Sequence, residues 1–149
     1  SKSYYLRLAL VLKTATEAKF QEANASSPQM SAVASAVTLF SASIKNSITI
    51  NQMMDAFAQY HSSVVAQLKL TFSAYANVID TIEAGVNGMG GMKAILNTAV
   101  GATVSTDVIV NAYVIFFNSC KTATQTAMTG ASSAQVNSVS EILILVNMN

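Results

Sequence analysis

The sequence predicts an all-α fold, a compact bundle of five or six amphipathic helices, on three observations. Ala occurs 23 times and Ser 18 times among 149 residues, against a single proline, Pro28. Ala is the strongest helix former and proline the strongest breaker. Apolar residues recur along most of the chain at steps of three and four, the period of a helix with one buried face. Finally, 52% of the residues are hydrophobic and 10% charged, where about 25% charged is usual.

The first helix is expected over 3–24, with Tyr4, Leu8, Val11, Leu12, Ala15 and Phe20 near one stripe and Arg7, Lys13, Glu17 and Lys19 mostly off it. Asn24-Ala25-Ser26-Ser27-Pro28 is a loop with capping residues, and Pro28 suits the first turn of the next helix. That second helix, 30–45, gathers Val33, Val37, Phe40 and Ile44 on one face. After a link at 46–49, a helical pattern runs from Ile50 to Ala84 through Met53, Met54, Phe57, Val64, Leu68, Phe72, Tyr75, Ile79 and Ile82. At that length a break is expected near His61-Ser62-Ser63, because serine competes locally for backbone groups.

Gly85 is expected to cap this helix and to open a flexible loop, Gly85 to Gly91. A short helix over 92–100 follows and closes at Gly101. Residues 103–107 cap the next helix, expected over 105–128, with the Asp107 carboxylate near its positive end. Its apolar stretch Val108 to Phe117 is too short to span a membrane, which takes about 20 residues, so burial in a core is expected. Thr129-Gly130-Ala131 is a turn. Ser132 with Gln135 makes a capping box for a last helix over 133–147, with Val136, Val139, Leu143 and Val146 inward.

Composition excludes several functions. The net charge is +1, and eight scattered Lys and Arg residues form no basic stripe for nucleic acid. One cysteine, Cys120, rules out a disulfide scaffold. A mean hydropathy of +0.43 is far from that of a disordered linker. The length suits one globular domain over 1–149. Because Ser1 carries no initiator Met, signal or transit peptide, the chain reads as a module excised from a longer one.

No residue set points to catalysis. His61 has no Cys or His at metal-ligating spacing and reads as a partly exposed helix histidine. Cys120 precedes Lys121, which lowers thiol pKa values, yet its only candidate base is His61. It reads as a small buried hydrophobe, or as a thiol that bridges two chains. Asp80 and Glu83, with Asp55 well before them, fit solvated surface charge better than an acid–base pair. The Gly85–Gly91 segment lacks the Lys-Ser/Thr ending of a phosphate loop, and Lys93 alone does not replace it. Met53, Met54, Met89 and Met92 fill core or, as the alternative, line a site for a small apolar ligand. Asn24-Ala25-Ser26 is a glycosylation sequon, frequent by chance. Catalytic, cofactor and metal residues are therefore expected to be none.

The combination of Ala- and Ser-rich helices, few charges and one Gly loop resembles the globular domains of spider silk proteins, the spidroins. Ser3-Tyr4-Tyr5-Leu6-Arg7-Leu8-Ala9-Leu10-Val11-Leu12-Lys13 is similar to the start of a spacer or repeat module of the minor ampullate or egg-case kind. Leu68 to Ala76, continuing through Glu83-Ala84-Gly85, is similar to the third helix and its Gly exit in spidroin terminal domains. The chain departs from the N-terminal domain in having no Trp and no matching acidic cluster, and Asp55 and Glu83 do not supply one. It also departs from the C-terminal domain around Cys120, so a repetitive-region module fits best. The resemblance implies a secreted, extracellular structural protein without catalysis. It would keep a fibrous chain soluble, associate with other copies or with flanking silk repeats, and enter fibre assembly.

Overall fold

The computed structural model describes residues 2–88 and 106–149. Among these the chain is all-α. The helices are α1 (Lys2–Glu22), α2 (Ser27–Asn46), α3 (Ile50–Thr71), α4 (Ala76–Gly88), α5 (Thr106–Ala127) and α6 (Ser133–Leu145), with one 3-10 turn at Ser73–Tyr75. They fall into two compact units, Ser1–Ala74 and Tyr75–Met148. The short helix expected over 92–100 and the part of the Gly loop beyond Gly88 lie outside the described residues.

In the first unit, α2 packs on both α1 and α3. Asn24 ends α1 with a left-handed φ of 58°. Ala25 N–H donates to Phe20 O at 3.1 Å and Asn24 N–H to Gln21 O at 3.0 Å, the paired bonds of a Schellman motif. Ser26 then caps α2. Its hydroxyl accepts from Gln29 N–H at 3.4 Å and its own N–H donates to the Gln29 side chain at 3.0 Å, with proline just inside the start. Thr49 and Gln52 repeat the box on α3.

Two polar contacts fix the direction of these helices. Lys2 Nζ, at the start of α1, donates to Lys45 O at 2.9 Å and Ser47 O at 3.0 Å at the end of α2. There a cation also complements the negative end of the helix. Thr71 Oγ1, at the end of α3, donates to the Gln29 side chain at 3.0 Å, at the start of α2. Neighbouring helices therefore run antiparallel.

The core of this unit is aromatic. Phe40 lies 5.7 Å from Phe57 and 5.3 Å from Tyr60, and Tyr5 lies 6.4 Å from Phe57. The buried stripe of α1 is Tyr5, Leu8, Ala9, Leu12, Thr16 and Phe20. It differs from the expected one in that Tyr4 and Val11 are exposed. The reason is Thr16: its hydroxyl shares a 2.8 Å bond with the Tyr60 hydroxyl, so a polar residue takes a core position on the stripe.

The expected break at His61-Ser62-Ser63 does not occur, and α3 continues to Thr71. Tyr60, Val64, Val65 and Leu68 are all buried on its inner face, and that burial outweighs a serine propensity penalty of a few tenths of a kcal/mol. The break falls instead at Phe72 (φ −111°, ψ 55°). Gly85 is also not a cap, because α4 continues through it to Gly88.

In the second unit, α5 packs on α4 and on α6. Ile79, Ile82 and Val86 of α4 meet a core shared with Ala112, Phe116 and Cys120 of α5 and Val136, Val139, Ile142 and Leu143 of α6. The inward faces expected for α2 and α6 are observed. Gly130, at φ 85°, makes the turn out of α5, and Ser132 with Gln135 forms the expected capping box. The buried polar side chains bond to carbonyls one turn back. Thr124 donates to Cys120 O, Ser140 to Val136 O and Asn147 to Leu143 O, each at 2.7 Å.

Candidate functional site

The candidate catalytic side chains are divided between the units. His61 sits half-buried on α3 of the first unit, whereas Cys120 lies in the core of the second. Cys120 Sγ is 3.6 Å from Ser140 O. Burial, the main cause, pushes its thiol up to about 11; the neighbouring Glu83 carboxylate pushes the same way and a bond with Thr124 opposes it. Such a thiol is protonated at neutral pH and closed to solvent. It is neither an activated nucleophile nor a bridge to another chain in the folded state.

Asp80 and Glu83 part company on α4. Asp80 is exposed, while Glu83 acts on Cys120 from across the α4–α5 contact. Among the described residues no three His, Cys, Asp or Glu side chains gather as a metal site. Met53 is buried and Met54 exposed, whereas Met89 and Met92 lie outside the described residues.

Among the described residues the surface hollows are open and mixed in polarity. A groove of about 410 Å³ along α2 and α3 is lined by Leu39, Asn46, Gln52, Asp55 and Gln59 among others. A cleft of about 390 Å³ at the α5–α6 turn is lined by Lys121, Gln125, Met128 and Asn137 among others. The void against Phe40 and Tyr60 holds about 10 Å³, room for one water at most.

What stands out is exposed apolar surface, on the charged helix α1 and also on α2 and α5, which carry only Lys45 and the pair Asp107 and Lys121. Leu10, Val11, Leu39, Ile48 and Leu70 of the first unit are more than half exposed. On α5, Val110 (53%), Tyr113 (42%), Val114 (47%) and Ile115 (55%) are exposed as well. This corrects the expectation of a fully buried helix there. The helical period turns Ala112, Phe116, Cys120 and Thr124 inward, every fourth residue, and leaves β-branched residues outside. Sequence reasoning took the densest apolar run for the core; the signal it passed over is that 4-residue spacing.

Among the described residues no helix is long and apolar enough to cross a membrane. Comparison with protein-family models, with curated proteins and with solved structures finds no match for this chain.

Proposed function

We propose that this chain is a structural module of a secreted fibrous protein of silk type, without catalysis, that keeps a long chain soluble in storage and takes part in fibre assembly. The observation that carries the reading is the surface just described: large apolar side chains exposed on helices such as α2 and α5, whose polar positions are mostly Ser, Thr, Asn and Gln. With a net charge of +1, copies repel one another little and approach closely. Helical segments rich in Val and Ile, such as Ile142–Val146, have the composition of strand-forming zippers once unfolded. Solubility at rest then comes from folding, and assembly from losing the fold.

Shear of a concentrated solution tests this reading, followed by far-UV circular dichroism and light scattering. Fibres with a shift from helix to strand are expected. A chain that stays helical and dispersed overturns the reading. The alternative, a carrier of a small apolar ligand, has less support, since apolar ligands favour enclosed, predominantly apolar pockets, whereas the described hollows of ligand size are open and lined by Asp55, Gln59, Lys121, Gln125 and other polar side chains and the void against the aromatic core holds about 10 Å³.

A further inference from the structure

The outward face of α5 carries a pattern with a specific partner. Residues 107, 110, 114, 117 and 121 recur at alternating steps of three and four, the spacing of a two-helix seam. They are Asp107, Val110, Val114, Phe117 and Lys121. Asp107 is exposed, Val110 and Val114 are about half exposed, and Phe117 and Lys121 are partly so. Tyr113 stacks on Phe117 at 6.3 Å and widens the apolar centre. Asp107 and Lys121 are the only charged residues between 106 and 127. Each stands seven residues, two helical turns, from Val114.

That order is complementary to its own reverse. We infer that α5 pairs antiparallel with α5 of a second copy of this chain, about a twofold axis at Val114. Asp107 of each copy then faces Lys121 of the other, Val114 meets its counterpart, and Val110 lies within one residue's rise, about 1.5 Å, of the level of Phe117 in the other copy. A parallel pair would set Asp107 against Asp107 and Lys121 against Lys121, whereas in the antiparallel pair each charge sits about 10 Å along the axis from Val114 and the two ion pairs lie about 21 Å apart, at 1.5 Å per residue. Charge therefore selects the antiparallel arrangement. A partner of one dominant sign would satisfy one end of the stripe and be repelled at the other. A single helix-on-helix seam buries less than the roughly 1,200 Å² of a standard interface, so the pair forms only at high protein concentration, the condition of storage.

The inference names the surface for the self-association in the proposed function and rests on that reading only there. Sedimentation velocity of the 149-residue chain over a concentration series tests it. Reversible dimerisation is expected. Val114→Asp, which sets two carboxylates against each other at the axis, shifts the midpoint at least tenfold upward with an unchanged far-UV spectrum. Asp107→Lys and Lys121→Asp each weaken association several-fold, and together they restore it. Leu39→Asp on α2 leaves it unchanged. A chain that stays monomeric, a Val114→Asp chain that dimerises like the parent, or a double reversal no better than the singles overturns the seam. Fibres formed under shear by a chain without the seam leave the functional reading standing; a seam dimer that forms no fibre overturns that reading alone.

Discussion

The unit built from α1–α3 and the unit built from α4–α6 differ in where their described side-chain hydrogen bonds run. In the first, hydrogen bonds run between helices: Thr16 to Tyr60, Thr71 to Gln29, and Lys2 to the end of α2. In the second, Thr124, Ser140 and Asn147 each bond within their own turn of chain. A bond across helices fixes which helix lies beside which, and at what register. A bond to the carbonyl four residues back removes the desolvation penalty but is indifferent to the neighbour. The packing follows the same division, with large rings between helices in the first unit and mainly aliphatic and small side chains in the second. Among the bonds described, cross-helix ones thus specify the first unit more than the second, where the Cys120 Sγ–Ser140 O contact at 3.6 Å joins α5 to α6 and shape carries more of the packing.

The largest expected effect tests the aromatic half of this contrast. Phe40 touches both Phe57 and Tyr60 and is 1% exposed. Phe40→Ala is expected to cost about 3–5 kcal/mol, read as a lower midpoint in urea. If the loss is under about 1 kcal/mol, the ring cluster does not hold the unit together.

The polar half is tested by a cycle at Thr16 and Tyr60. Tyr60→Phe alone leaves the Thr16 hydroxyl buried without its partner and is expected to cost about 1–3 kcal/mol. Thr16→Val alone is expected to cost a similar amount. The double variant, with both hydroxyls gone, should recover much of the loss. Simple additivity would show that the bond does not couple α1 to α3.

A pH series probes the second unit. Burial raises the Cys120 thiol from its ordinary 9.0 to about 11, so the folded state prefers the protonated form. Its contribution is complete below pH 9 and is lost as pH rises from 9 to 11, at about 1.4 kcal/mol per pH unit. Stability should fall through that window, and Cys120→Ala should flatten part of the fall. Tyr60, which burial also raises, adds a loss above pH 10. Native protein at pH 8 should resist alkylation until urea opens the core, and prompt labelling would contradict the buried placement of the thiol.

The legible parts of the fold were those whose signal is local. The capping box Ser132–Gln135 combines a hydroxyl with an amide three residues on, and such a pair has few other uses in a helical sequence; Ser26–Gln29 has the same form, where only a loop with capping residues is expected. The inward faces of α2 and α6 were equally plain, because their apolar residues outnumber the alternatives. What the sequence hid was non-local. Thr16 reads as surface until Tyr60 is placed against it, and adjacent Tyr4 and Tyr5 offer no way to choose which turns in. The α5 face misled for a related reason: Ala112 and Cys120 are small, so the inward stripe looks weaker than the β-branched residues beside it. The pairing of Asp107 with Lys121 needs the helix, its exposed side and a second copy before it has meaning.

The smallest expected effects come from the two left-handed residues that end helices, and they sharpen the same contrast. Asn24 closes α1 at φ 58° and Gly130 follows α5 at φ 85°. A Cβ on Gly130 would meet no atom within 4 Å, so Gly130→Ala carries only the left-handed backbone penalty, about 1–2 kcal/mol. Asn24 already bears part of that penalty in a Schellman motif, and Asn24→Gly relieves it, expected to raise stability by up to about 1 kcal/mol. Both are read by urea titration. Because Lys2 and Gln29 also fix the helix order of the first unit, Asn24→Ala should cost less than Gly130→Ala, whose turn is the main guide from α5 into α6. Equal losses would mean that the cross-helix bonds of the first unit do not take up the work of its turn.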